Sequence, residues 1–326
     1  MLDLHAHVVL EGVLGRAGTY GPELLDDPVC PTFRVGGYTL EGVRYRGSAF
    51  MDVQVRLEAM ERLGITWQLL SPNPLTYLNH IEAEVASEFA RWHNEEMAAV
   101  VAADPARLGG AAQLPTQDPP AAAAELRRSV QELGLIAAYM GTDSGTGADR
   151  VELDDPRMDE VWATAVELDV PVFIHPAPPG IDSDLADTRV RRFDADLWLS
   201  FAFEETLAIA TLVFGGVLDR HPSLDVCVSH GGGALVALIG KMRSAATRRA
   251  WVPENLRESG ALDAVLRRLW YDAHVSDDRV LALLADVVGP NRLVGGTNFA
   301  GWDQPEAPVS SAAMDANARR LLRLGP

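Results

Sequence analysis

Histidine is the residue type whose placement in this chain carries chemistry. His5 and His7 stand two apart in Asp3-Leu4-His5-Ala6-His7. On a strand, alternation points both imidazoles the same way, with their Cα atoms about 7 Å apart. Two imidazoles on one face can grip one cation. His175 closes another apolar run, Pro171-Val172-Phe173-Ile174-His175, and offers a third nitrogen. Three protein ligands with an open position are the pattern of a catalytic zinc site. His230 follows a further apolar run and precedes Gly231-Gly232-Gly233. Those glycines let the backbone approach a ligand closely, and the position favours a catalytic base or a hydrogen-bond donor beside a metal-bound water. His274 follows Tyr271-Asp272-Ala273 and reads equally as a structural residue and as a substrate contact. His80, His93 and His221 fall on helical segments and read as surface or packing residues.

The elements that must position these residues alternate regularly. Short apolar runs at 1–7, 65–70, 110–114, 135–140, 170–175, 224–230, 269–272 and 292–296 suit strands buried on both faces of a parallel sheet. Helix-like segments follow at 51–63, 80–103, 119–133, 157–168, 201–219, 233–249, 277–287 and 309–324. The 119–133 segment opens on Pro119-Pro120 and ends before Gly134, the asymmetry of a helix. Eight strands each followed by a helix predict a (β/α)8 TIM barrel in one domain over residues 1–326. Such a barrel takes about 250 residues before insertions. Residues 8–50, rich in Gly, Pro and Arg and without a clear period, read as a long insertion after the first strand. In a barrel they lie over the C-terminal mouth, where strand ends carry the site. His5, His7, His175, His230 and His274 all fall at or near strand ends, so the barrel converges them on one face.

The bulk composition narrows the partners. The formal charge of −18 and the pI near 4.8 make nucleic acid and anionic lipid poor partners. The two cysteines, Cys30 and Cys227, cannot form a disulfide scaffold, and a reduced compartment is the simpler reading. Residues 1–10 lack a signal-peptide pattern. No apolar run in the sequence reaches the roughly 20 residues that span a bilayer. The expectation is a soluble cytoplasmic protein.

With these residues in view the chain resembles the amidohydrolase superfamily, and within it the branch related to aminocarboxymuconate-semialdehyde decarboxylase. Asp3-Leu4-His5-Ala6-His7, Asp104-Pro105-Ala106-Arg107-Leu108-Gly109-Gly110, Pro171 to Pro176, and Pro222 to Gly233 carry the resemblance, which spans nearly the whole chain. It implies that His5, His7 and His175 bind one divalent metal, usually Zn2+ and sometimes Mn2+. It implies that His230 activates or orients the metal-bound water, and that the protein is a homodimer. It also implies that Arg44 and Arg46 hold a substrate carboxylate, to which a guanidinium fork is matched in two parallel bonds. Ser71-Pro72-Asn73-Pro74 resembles the corresponding strand exit of hydratase members. Lys241 is the only lysine and falls on a helix, so the lysine-bridged metal pair of other superfamily members is not expected.

The departure lies at the eighth strand. Where the family has Gly-Ser/Thr-Asp, with Asp as metal ligand and proton shuttle, this chain has Gly296-Thr297-Asn298. The Asn298 amide oxygen can coordinate a metal, but it carries no charge and moves no proton at neutral pH. Asn298 is thus a natural variant with Asp303, Asp272 or His274 taking the proton role, an engineered trap, or the mark of a weakened relative. The leading functional reading is a non-oxidative decarboxylase of a carboxylated aromatic or muconate-like molecule. A hydrolase or hydratase using a metal-bound hydroxide is the alternative, and a ligand-binding barrel without turnover is the third. Loops 8–50 and 176–200 are expected to set the substrate.

Overall fold

The structure, a computed structural model, describes all residues except 146–148, 179, 180, 182–187 and 326. Eight strands form one sheet: β1 (Leu2–Val8), β5 (Trp67–Pro72), β6 (Leu108–Gln113), β7 (Ala137–Met140), β8 (Val172–Ile174), β9 (Val226–Val228), β10 (Trp270–Asp272) and β11 (Leu293–Val294). Every adjacent pair in that order is parallel. Just past β11 the sheet turns back on itself: the Leu4 amide donates to the Gly295 carbonyl at 2.9 Å, and the Phe299 amide donates to the His5 carbonyl at 3.1 Å. This is the (β/α)8 barrel. Strand registers place Asp3 opposite Gln68 but Ala6 opposite Leu70. Three steps on β1 therefore span two on β5, a bulge that re-aims the side chains at Leu4 and His5.

The crossover helices begin and end where their local chemistry dictates. In α1 (Val53–Arg62) the Asp52 carboxylate accepts from the amides of Gln54 and Val55, and Gly64 exits at φ +68°. In α3 (Pro119–Gln131) Asp118 caps the first turn, and the prolines occupy positions that need no amide donor. The remaining helices are α2 (Ala83–Ala103), α4 (Asp159–Glu167), α5 (Ala195–Phe214), α6 (Val217–Arg220), α7 (Leu235–Arg248), α8 (Ala261–Leu266), α9 (Asp278–Val288) and α10 (Ala312–Leu321).

Two features depart from the sequence reading. Residues 8–50 are not without regular structure. They contain a three-stranded antiparallel sheet, β2 (Glu23–Leu25), β3 (Thr32–Val35) and β4 (Tyr38–Glu41), and Tyr38, Leu40, Val43, Tyr45 and Phe50 from this segment wall a cavity that reaches His7 and His175. Second, α5 (Ala195–Phe214) begins six residues before and ends five residues before the helix expected at 201–219, and an 18-residue window within Arg189–Phe214 has a mean hydropathy of 1.5. It buries Ala208, Ile209, Leu212 and Val213, and it also buries Glu205 at its centre. Its outward side leaves Leu199, Phe203 and Leu207 at 51%, 60% and 42% exposure. Part of the expected 176–200 specificity loop, residues 179, 180 and 182–187, lies outside the described residues.

Candidate active site

The barrel brings five histidines together. The ring centroids of His7, His175, His230 and His274 lie 5.0, 5.0, 4.9 and 5.6 Å from that of His5. All but His230 are nearly inaccessible. What each imidazole does follows from the partner of its Nδ1. His5 Nδ1 lies 2.8 Å from Asp272 Oδ2. His7 Nδ1 lies 2.9 Å from the Pro72 carbonyl and 3.0 Å from Ser71 Oγ. His175 Nδ1 lies 2.7 Å from the Pro176 carbonyl. Carbonyls and carboxylates only accept, so these three rings carry their proton on Nδ1 and turn an Nε2 lone pair inward.

Those lone pairs have no proton to share among themselves. His5 Nε2 and His7 Nε2 face each other at 3.2 Å, and His175 Nε2 is buried with no hydrogen-bond partner. Burial pushes His7 down to about 3 and drives His5 and His175 well below the usual imidazole range, so all three are neutral and ready to ligate. Converging, desolvated lone pairs of this kind fit a divalent cation.

A nitrogen each from His5, His175 and His230 also fall within 4.8 Å of one another, so distance alone allows His230 in place of His7. Chemistry separates them. His230 Nδ1 is 2.5 Å from Glu205 Oε1, and Ser229 Oγ donates to the same oxygen. Burial disfavours the charged ring, but the Glu205 carboxylate outweighs it and lifts His230 to about 9. That shift favours a proton-bearing ring beside the site, whereas His7, pushed down by burial, favours a ligand. His230 has a left-handed backbone, φ +46°, and is followed by three glycines at φ +62°, +78° and +64°. A Cβ at Gly233 would lie 2.4 Å from the Ala202 carbonyl oxygen, so only glycine lets this turn pack on α5.

Asn298 lies at the exit of β11 with φ +47°, a conformation Asn tolerates better than most residues. Its amide is committed sideways, Nδ2 donating to Asp303 Oδ1 at 2.6 Å. Asp303 Oδ2 meets His274 Nε2 at 3.0 Å. Burial raises the Asp303 carboxyl, but His274 and the Asn298 amide overcome it and bring it to about 2. Of the three residues considered as substitutes for the missing strand-end carboxylate, Asp272 is taken by His5. Asp303 and His274 stand together beside Asn298.

The arginine expectation is corrected. Arg46 pairs with Glu11 at 2.6 Å and with Asp26, and it is 40% exposed. Arg44 is exposed as well. Neither lines the cavity; the residue between them, Tyr45, does. β4 and the turn after it point alternate residues inward, and the inward set is Tyr38, Leu40, Val43 and Tyr45. Glu205 is the functional residue that the sequence did not disclose. Its signal was a carboxylate in the middle of the apolar run of α5.

Comparison with known proteins identifies the family. The amidohydrolase family model matches residues 2–324. The chain belongs to the amidohydrolase family. This amidohydrolase is 29% identical over 307 residues to the 2-amino-3-carboxymuconate-6-semialdehyde decarboxylase of Dictyostelium discoideum, covering 91% of this chain and 81% of that one. It is 32% identical over 239 residues to the gamma-resorcylate decarboxylase of Rhizobium radiobacter, covering 71% of this chain and 68% of that one. In fold it is similar to a dihydroxybenzoic acid decarboxylase from Polaromonas sp., crystallised with manganese and 2-nitroresorcinol, at a TM-score of 0.75 and 24% identity over 99% of this chain and 96% of that one.

Proposed function

We propose that this amidohydrolase is a metal-dependent non-oxidative decarboxylase of a carboxylated aromatic compound. The observation that carries the reading is the convergence of three buried Nε2 lone pairs, from His5, His7 and His175, beneath a cavity walled by aromatic side chains. The activities of the relatives support it. The metal would be single, with manganese favoured by the Polaromonas structure and zinc by the all-imidazole ligand set.

A divalent cation held by these three nitrogens supplies positive charge that polarises substrate oxygens. The rest is done by the chain. Asp272 holds the His5 ring and its tautomer, and Pro72 and Pro176 do the same through their carbonyls for His7 and His175. Glu205 holds His230 by Nδ1 and leaves the other ring nitrogen to the compartment it lines with His274 and Asp303. From there His230 delivers its proton to the ring carbon that bears the carboxylate. The carbon–carbon bonding pair then returns to the ring as carbon dioxide leaves. Asn298 fixes Asp303, and Asp303 fixes His274 at the rim.

A homodimer is part of the proposal. Leu199, Phe203 and Leu207, four residues apart on α5, form an exposed apolar stripe of the kind that marks an interface. So is a reduced cytoplasmic setting, read from a sequence with only two cysteines. The test is product analysis on metal-loaded protein with hydroxylated benzoates. Carbon dioxide and the matching phenol in equal amounts support the reading. A hydrated or hydrolysed product would move the protein to the hydratase or hydrolase alternative, and no product from any aromatic acid would count for a binding barrel.

A further inference from the structure

The loss of Arg44 and Arg46 from the site has a chemical consequence. The cavity above His7 and His175 has a volume of about 620 Å³ and is walled mainly by Leu40, Val43, Phe50, Leu75, Phe201 and Trp302. Among the described residues none of its lining side chains is an arginine or lysine, and the one carboxylate on its wall belongs to Asp194. The neighbouring compartment of about 350 Å³ adds Glu205 and Asp303, again without Arg or Lys among the described residues. Arg191 is exposed, 5.9 Å from the centroid of the Tyr38 ring, and is not part of the lining. The polar groups on the apolar wall are neutral: the Tyr45 hydroxyl hydrogen-bonds Asn73, and Asn73 Oδ1 also accepts from the Leu75 amide at 3.0 Å.

We propose that the site selects aromatic acids with a single carboxylate and neutral ring substituents, and rejects a second carboxylate on the ring. The inference rests on the decarboxylase reading for the place of the first carboxylate, which meets the cation held by the histidines. The ring then fills the aromatic cavity, and hydroxyl or similar groups meet Tyr45 and Asn73. A second carboxylate on this wall would lose its water against leucine, valine and phenylalanine and face Asp194, while His230 lines the neighbouring compartment and is absent from this wall. An unpaired buried charge is the costly case, and discrimination by an absent partner is a form of specificity.

Tryptophan fluorescence tests this on the full metal-loaded protein, because Trp198 and Trp302 line the cavity. Three probes share one ring: 2-hydroxybenzoate, its 3-carboxylate and its 3-carboxamide. The amide matches the second acid in size without its charge. The expected result is binding of the parent and the amide within a few-fold of each other, and of the diacid at least about tenfold more weakly. Val43→Arg, which sets a cation on the wall, should close that gap. Equal or tighter binding of the diacid by the wild type overturns the proposal, as does its loss on Arg191→Ala. Equal rejection of amide and diacid overturns it in favour of size, and failure of all three to bind overturns it outright. The wild-type comparison decides even if Val43→Arg does not fold. Binding and product analysis fail separately: the charge preference with no carbon dioxide from any hydroxylated benzoate counts against the decarboxylase reading, and carbon dioxide release without the preference counts against this inference.

Discussion

Asn298 donates its side-chain amide to Asp303 Oδ1 at 2.6 Å, five residues along the same loop. The donor fixes the acceptor, which in turn holds His274. In Asn298→Asp the donor is lost and two carboxylates meet at hydrogen-bond distance, where both cannot stay ionised. The metal-free variant should be about 1–3 kcal/mol less stable than the wild type at neutral pH. Saturating Mn2+ should narrow that gap, because a cation nearby favours the added charge. Urea denaturation with and without Mn2+ measures both, and an unchanged metal-free stability would mean that the Asn298–Asp303 bond is not formed.

The metal prediction is one equivalent per chain. His5→Ala, His7→Ala and His175→Ala should each lose it, while His230→Asn should keep it. Elemental analysis of dialysed protein reads this directly. Two equivalents, or loss in His230→Asn with retention in His7→Ala, would replace His7 with His230 in the ligand set.

Asp272 touches the metal only through His5. Asp272→Asn keeps the shape but weakens the grip on the His5 tautomer, and metal affinity should fall about 10–100-fold. Competition against a chelator of known affinity measures it. An unchanged affinity would show that the 2.8 Å contact does not tune the ligand.

Glu205→Gln and His230→Asn should each lower kcat by about 10²–10⁴-fold with metal content retained. Glu205→Gln removes the charge that holds the imidazolium, not the ring itself. Full activity in either variant would take proton delivery away from this pair.

Arg46→Ala should leave KM unchanged and shift stability by no more than about 0.5 kcal/mol, since its pairs with Glu11 and Asp26 are solvent-screened. A large rise in KM would restore the carboxylate-binding role read from the sequence.

What the sequence disclosed was set by period and spacing. Strands buried on both faces read as uninterrupted apolar runs, so all eight barrel strands were legible. Because barrel strand ends converge, five histidines scattered between positions 5 and 274 could be placed on one face. What it hid depended on pairing at a distance. β2, β3 and β4 are three or four residues long, too short for alternation to stand out among the glycines and prolines. Arg44 and Arg46 flank an inward tyrosine, and only the register of that turn decides which of the three faces the cavity. Glu205 looks like a misplaced charge in an apolar helix until Ser229 and His230 are brought against it. Asp303 acquires its role only because the loop after β11 folds back on Asn298. The helix expected at 201–219 was right in length but displaced: α5 starts at Ala195, and Gly215-Gly216 end it before α6 begins at Val217.

The most direct test of the account is anomalous diffraction from a crystal grown with Mn2+ or Zn2+. One peak is predicted, bound by the Nε2 atoms of His5, His7 and His175 at about 2.0–2.2 Å, with Glu205 still on His230 Nδ1. A peak bound through His230 with His7 turned away, or a second peak beside the first, would contradict it.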